Sequence, residues 1–114
     1  DFVRNSVKSE PFMATDNFGR SLPKYEEGNL NLTGVHASFN KKGFMMRPTQ
    51  ALCEELLKQT DKYILAKKIL AGGDLPPEEA FDYIKGKNIP SVVIGLASVQ
   101  EVSHTLAAAK SFLL

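Results

Sequence analysis

A chain of 114 residues with 43% hydrophobic residues, 24% charged residues and a net charge of +1 has the make-up of one ordinary globular domain. That balance excludes bulk electrostatic attraction to nucleic acid, a membrane surface or an acidic substrate, and no apolar run approaches the roughly 20 residues that span a bilayer. The single cysteine, Cys53, excludes an internal disulfide and fits a reducing, cytoplasmic setting.

In chain order, DFVRNSVKSE lacks the apolar core and cleavage site of a signal peptide. It reads as the tail of a helix, and the missing initiator Met suggests a fragment or a processed product. PFMAT (11–15) reads as a first strand. In GRSLPKYEEGNLN, Pro23 and Gly28 leave room for a turn or two of helix at most. TGVHASF (33–39) is a second strand, with Val35, Ala37 and Phe39 alternating against His36, Ser38 and Asn40. NKKGFMMRP reads as a solvated loop that tucks apolar residues beneath it, with a lid or an anion-binding loop as the alternatives. RPTQALCEELLKQT reads as a helix with Thr49 as N-cap and Cys53 as a small core residue.

YILAKKIL (63–70) is a third strand in which one of two adjacent lysines must point inward; Lys68 shares a face with Ile64 and Ala66. DLPPEEAFDYIKGK opens on prolines and acids, as a helix N-terminus does, and stops at Gly86. SVVIG (91–95) is apolar on both faces, as a strand covered on both sides should be. In SVQEVSHTLAAAKSFLL, Ser98 and Glu101 make a capping box, and Val99, Val102, Leu106 and Ala109 share one helical face.

Strand then helix, four times, predicts an α/β fold with a parallel sheet. A second strand that is apolar outside and polar inside belongs to a barrel whose interior opens onto a site. The repeat, about 25–30 residues, matches a βα unit of an eightfold barrel, and a complete barrel takes about 250 residues. Residues 1–114 are therefore expected to form a single partial domain, half of a TIM-type barrel built from four parallel βα units. Such a half has two raw sheet edges that invite association. It is part of a longer chain, or two copies pair, or another partner covers an open sheet. The first reading is favoured.

The order and spacing of these segments resemble the second half of an aldo-keto reductase barrel, nearest its divergent microbial members. FMATDNFGRSLP is similar to the fifth strand and its loop. LTGVHASFNKKGFMMRP is similar to the sixth, with Asn40, Gly43 and Pro48 in an N-x-x-G-x-x-x-x-P continuation. YILAKKILAGGDLPPEEAF is similar to the seventh, with Lys68 and the Gly72-Gly73 turn, and SVVIGLASVQEVSHTL to the eighth. The resemblance implies an NADP- or NAD-dependent oxidoreductase acting on a small carbonyl substrate. The cofactor's nicotinamide side would lie near Thr15 and Asn40, and its phosphates between Gly72 and Ser98. Asp16 stands where the family commonly has Asn or His. Glu101 stands where the family reaches adenine, and Thr105 where it often has Asn. The family's catalytic Asp, Tyr, Lys and His belong to the first half, so His36 and Lys68 do not inherit their roles. The chain is expected to have no catalytic residue and to be inactive alone.

The residues support a ligand site independently of the resemblance. Gly95, Ala97 and Ser98 precede a helix N-terminus, where free N–H groups and the helix dipole favour a phosphate. Gly72 and Gly73 would sit beside them, because barrels often bind phosphate with the loops after their last two strands. Lys68 could offer a charge to an anion, form a Schiff base as an aldolase-type barrel would, or make a salt bridge at the barrel mouth. His36 is expected to be a hydrogen-bonded core histidine and His104 a solvated helix residue. The two histidines and one cysteine show no metal-ligand spacing. The alternative function is a non-catalytic or phosphate-ligand-binding half-barrel.

Overall fold

A computed structural model describes residues 2–113. It contains four strands, β1 (Phe12–Ala14), β2 (Gly34–Ser38), β3 (Tyr63–Lys67) and β4 (Ser91–Val92), and four α-helices, α1 (Phe18–Glu27), α2 (Gln50–Gln59), α3 (Pro77–Ile84) and α4 (Val99–Leu113). The strands form one sheet in the order β1-β2-β3-β4, every pair parallel. The four expected strands are all present, each followed by a helix.

Register separates the two faces of the sheet. Val35 pairs with Ile64 and with Met13, and Ala37 pairs with Ala66, which pairs with Val92. On this face Val35, Ala37, Ile64 and Ala66 are fully buried, in one core cluster with Phe18 and Leu22 of α1, Cys53 and Leu57 of α2, Ala80, Phe81 and Ile84 of α3, and Ala109 of α4. The other face carries Phe12, Ala14, His36, Tyr63, Leu65 and Lys67, and much of it is open: Phe12 is 39% exposed and Tyr63 42%. Parallel strands normally have both faces covered; here the helices cover one.

Several elements depart from expectation. The opening residues make one wide helical turn, Val3–Val7, with nothing buried. Helix α1 is ten residues long and contains Pro23. Proline removes one helical hydrogen bond, but Asn17 caps the helix by accepting from Arg20 N–H at 3.2 Å. Burial of Phe18 and Leu22 then outweighs the local penalty. Strand β3 stops at Lys67 because Lys68 turns the chain with φ 57°. Strand β4 pairs only over Ser91–Val92, and Val93 is 45% exposed, so this segment is not covered on both sides. On α4 the inward residues are Thr105 and Ala109, whereas Val99, Val102 and Leu106 are exposed. Thr49 caps α2 as expected, accepting from Leu52 N–H at 3.2 Å, and Cys53 is buried with its thiol donating to the Arg47 carbonyl.

Gly34 sets the spacing of the sheet. A methyl group there would lie 2.2 Å from the Tyr63 carbonyl oxygen and 2.5 Å from the Phe12 ring. Gly34→Ala is expected to destabilise the fold by about 1–3 kcal/mol in urea unfolding. Gly95→Ala, where the added methyl meets nothing within 4 Å, should change stability by less than about 0.5 kcal/mol.

Candidate functional site

The strands' C-terminal ends carry the loops that build the site. After β2, Asn40 holds the loop together. Its amide donates to the Phe44 carbonyl and accepts from the Phe44 N–H, both at 2.8 Å. Gln50 donates to the carbonyls of Asn40 and Lys41 at 3.1 and 3.0 Å. The loop buries Met46 and leaves Phe44 half-exposed against Gly72. Two ion pairs tie it to the next βα unit, Lys41 to Glu79 at 3.1 Å and Lys42 to Asp74. Exposed pairs of this kind are individually weak, but they tie this loop to the β3–α3 loop and to the first turn of α3.

After β3 the backbone turns through an unusual series of left-handed residues. Lys68, Ala71, Gly72 and Gly73 have φ of 57°, 52°, 71° and 93°. Only glycine adopts this region without strain, so Lys68 and Ala71 are held there by their surroundings. The turn points Lys68 away from the strand's alternation, and its ammonium makes no hydrogen bond or ion pair among the described residues. The inward lysine is Lys67 instead, which donates to Asp16 Oδ1 at 2.9 Å. That bond and the adjacent positive charge hold the Asp16 carboxyl below its ordinary range.

Between this turn and α4 lies a cleft of about 570 Å3. Six residues singled out from the sequence line it: Lys68, Gly72, Gly73, Gly95, Ala97 and Glu101. Ile69, Leu75, Ile94 and Leu96 give it an apolar floor, and His104 and Thr105 add polar groups from α4. Ser98 sits at its rim and accepts from Glu101 N–H at 3.1 Å. The Glu101 carboxylate reaches the Ala97 N–H at 2.7 Å, one residue ahead of the partner in a standard capping box. Glu101 thus occupies one of the donors that an anion would use. His104, exposed on α4 as expected, bonds Glu78 across the cleft's edge, and the backbone around Glu78 together with this bond holds the Glu78 carboxyl below the ordinary range. Only the fold brings α3 and α4 together, so the contact to Glu78 has no signal in the sequence.

Two singled-out residues lie at the same end of the sheet but outside the cleft. Asn40 is fully buried and both ends of its amide are used. Thr15 accepts from Asn17 N–H at 3.0 Å and bonds Ser21 at 2.7 Å, which shapes the entrance to α1.

His36 is not the satisfied core histidine expected. It lies on the open face of β2, and its Nε2, like the Oγ of Ser38 two residues on, is buried without a hydrogen-bond partner. Burial and the nearby Lys67 charge push its pKa down, so the ring is neutral at pH 7. The Cys53 thiol is pushed up by burial and is no candidate nucleophile. Among the described residues there is no group of three or more His, Cys, Asp or Glu able to hold a metal ion, and no helix long and apolar enough to cross a membrane.

The chain matches no family model, no curated protein and no solved structure.

The His36 environment predicts a pH effect. The unfolded chain protonates this ring near the ordinary value of about 6.5, and the folded chain only at lower pH. Stability is therefore expected to fall as pH drops below about 6.5 and to level off beneath the folded value. Melting temperatures at pH 7.5 and 5.5 should differ more for the parent chain than for His36→Gln. The lowered pKa of Asp16 acts in a separate window, below about pH 4.

Proposed function

We propose that this chain is one half of an aldo-keto reductase-like (β/α)8 barrel and that its cleft binds the phosphates of NADP or NAD. The observation that carries the reading is the meeting of Lys68, Gly72, Gly73, Gly95 and Ala97 around one cleft at the C-terminal ends of β3 and β4. Ligands of parallel α/β folds bind at that end of the sheet. Lys68 supplies a positive charge that no hydrogen bond engages, and the start of α4 supplies backbone donors for an anion. The apolar floor suits a flat ring system better than a free phosphate.

The chain contributes binding and scaffold, not chemistry. Its lysine and histidine nearest the sheet's end are Lys67, engaged by Asp16, and His36, below it on the strand.

NADPH added at about 100 times its Kd should stabilise the chain by about 2.7 kcal/mol, read as a rise in melting temperature. Lys68→Ala should weaken binding measurably in calorimetry while leaving the unliganded melting temperature unchanged. The isolated chain should not turn over a simple aldehyde. An unchanged melting temperature at millimolar NADPH would exclude the cofactor reading, and turnover by the chain alone would exclude its passive role.

A further inference from the structure

The open face of the sheet is a surface that folding has left unfinished. A folded chain of this mass, 12.5 kDa, is expected to expose about 6,200 Å2; this one exposes 6887 Å2. Its radius of gyration is 14.8 Å, against about 13 Å expected for its length. The excess surface, about 700 Å2, is close to the roughly 800 Å2 that each partner of a stable protein–protein interface contributes.

The apolar part of that excess is placed coherently. Phe12, Tyr63 and Val93 are exposed on the uncovered side of β1, β3 and the end of β4, with Leu65 partly buried between them. Val102 and Leu106 are exposed along α4, beyond the last strand. Within the register of β2 and β3, the only lysine, arginine or carboxylate on this side is Lys67, and Asp16 neutralises it. The face can therefore be buried without stranding an unpaired charge.

We infer that the open face and both sheet edges of this chain are covered by a second copy of the same chain, closing an eight-stranded parallel barrel with two-fold symmetry. All four strands are parallel and in sequential order, so β1 is one edge and β4 the other. A two-fold axis along the barrel sets β4 of each copy beside β1 of its partner, parallel at both seams. Eight strands then close with no edge left unpaired. Val102 and Leu106 of α4 cover the seam on the outside, next to the half-buried Met13 on the helix side of the partner's β1. The net charge of +1 puts little repulsion between copies.

The inference rests on the half-barrel part of the proposed function but not on its cofactor. Size-exclusion chromatography with light scattering at tens of micromolar should give twice the chain mass of 12.5 kDa. The double variant Val102→Glu/Leu106→Glu, at two exposed positions, should be monomeric with an unchanged far-ultraviolet circular dichroism spectrum. Phe12→Lys should weaken the dimer independently. Amide exchange at β1 and β4 should slow severalfold in the dimer relative to the double variant. A monomer at every concentration, an open series of larger oligomers, or a dimer indifferent to these variants would overturn the inference. An NADPH-induced rise in melting temperature in a monomeric chain would sink the self-pairing alone. A dimer with no response to NADPH would sink the cofactor reading alone.

Discussion

A parallel sheet needs cover on both faces, and in this chain the helices supply it on one. Each βα unit returns the chain to the same side, so α1 to α4 all contribute to the core formed by Val35, Ala37, Ile64 and Ala66. Within that core Phe18 is set edge-on to Phe39 at 5.1 Å between ring centres. The opposite face keeps Phe12 and Tyr63 in contact with one another at 5.7 Å but open to solvent beyond. On a central strand of that face the Nε2 of His36 and the Oγ of Ser38 are buried without hydrogen-bond partners. Buried polar atoms are normally satisfied, and here Ser38 is 2% exposed while Phe12 and Tyr63 on the same face are open.

The same repetition brings chemistry to one end. Every strand delivers its C-terminal loop to the same rim, and the loops are coupled there. The β2 loop is held internally by Asn40 and externally by Lys41, which reaches Glu79 in the first turn of α3, and Lys42, which reaches Asp74 in the β3–α3 loop. The left-handed run from Lys68 to Gly73 then opens a cleft beneath the start of α4. Strain at Lys68 and Ala71 accompanies an ammonium that makes no hydrogen bond among the described residues, a combination more typical of a binding site than of a stability device. Glu101 sets the limit on this reading, since its carboxylate already holds the Ala97 N–H and would have to share the helix start with an anion.

Much of the fold was legible in the sequence because the hydrophobic pattern and the punctuation agree. Alternation in GVHASF placed Val35 and Ala37 against the helices, and Thr49, Pro77 and Ser98 marked helix starts where they occur. The failures have physical causes. Pro23 argued against a helix that burial of Phe18 and Leu22 stabilises. The face of α4 was misjudged because its apolar row points to an unoccupied side, while the helix packs inward through Thr105 and Ala109. Lys68 was assigned to the strand because a left-handed lysine has no local signal. In the site, the Gly72-Gly73 and Gly95-Ala97 neighbourhood was readable from chain order, whereas the His104–Glu78 contact and the consumed amide of Asn40 arise only in three dimensions.

The central claim is that the uncovered face is a buried surface in the assembled protein, and residue-level solvent labelling tests it most directly. Hydroxyl-radical footprinting of Phe12 and Tyr63 should show strong protection at high chain concentration that disappears on dilution, while Phe2, exposed at the start of the opening turn, stays labelled throughout. Labelling of Phe12 and Tyr63 as full as that of Phe2 at every concentration would contradict it.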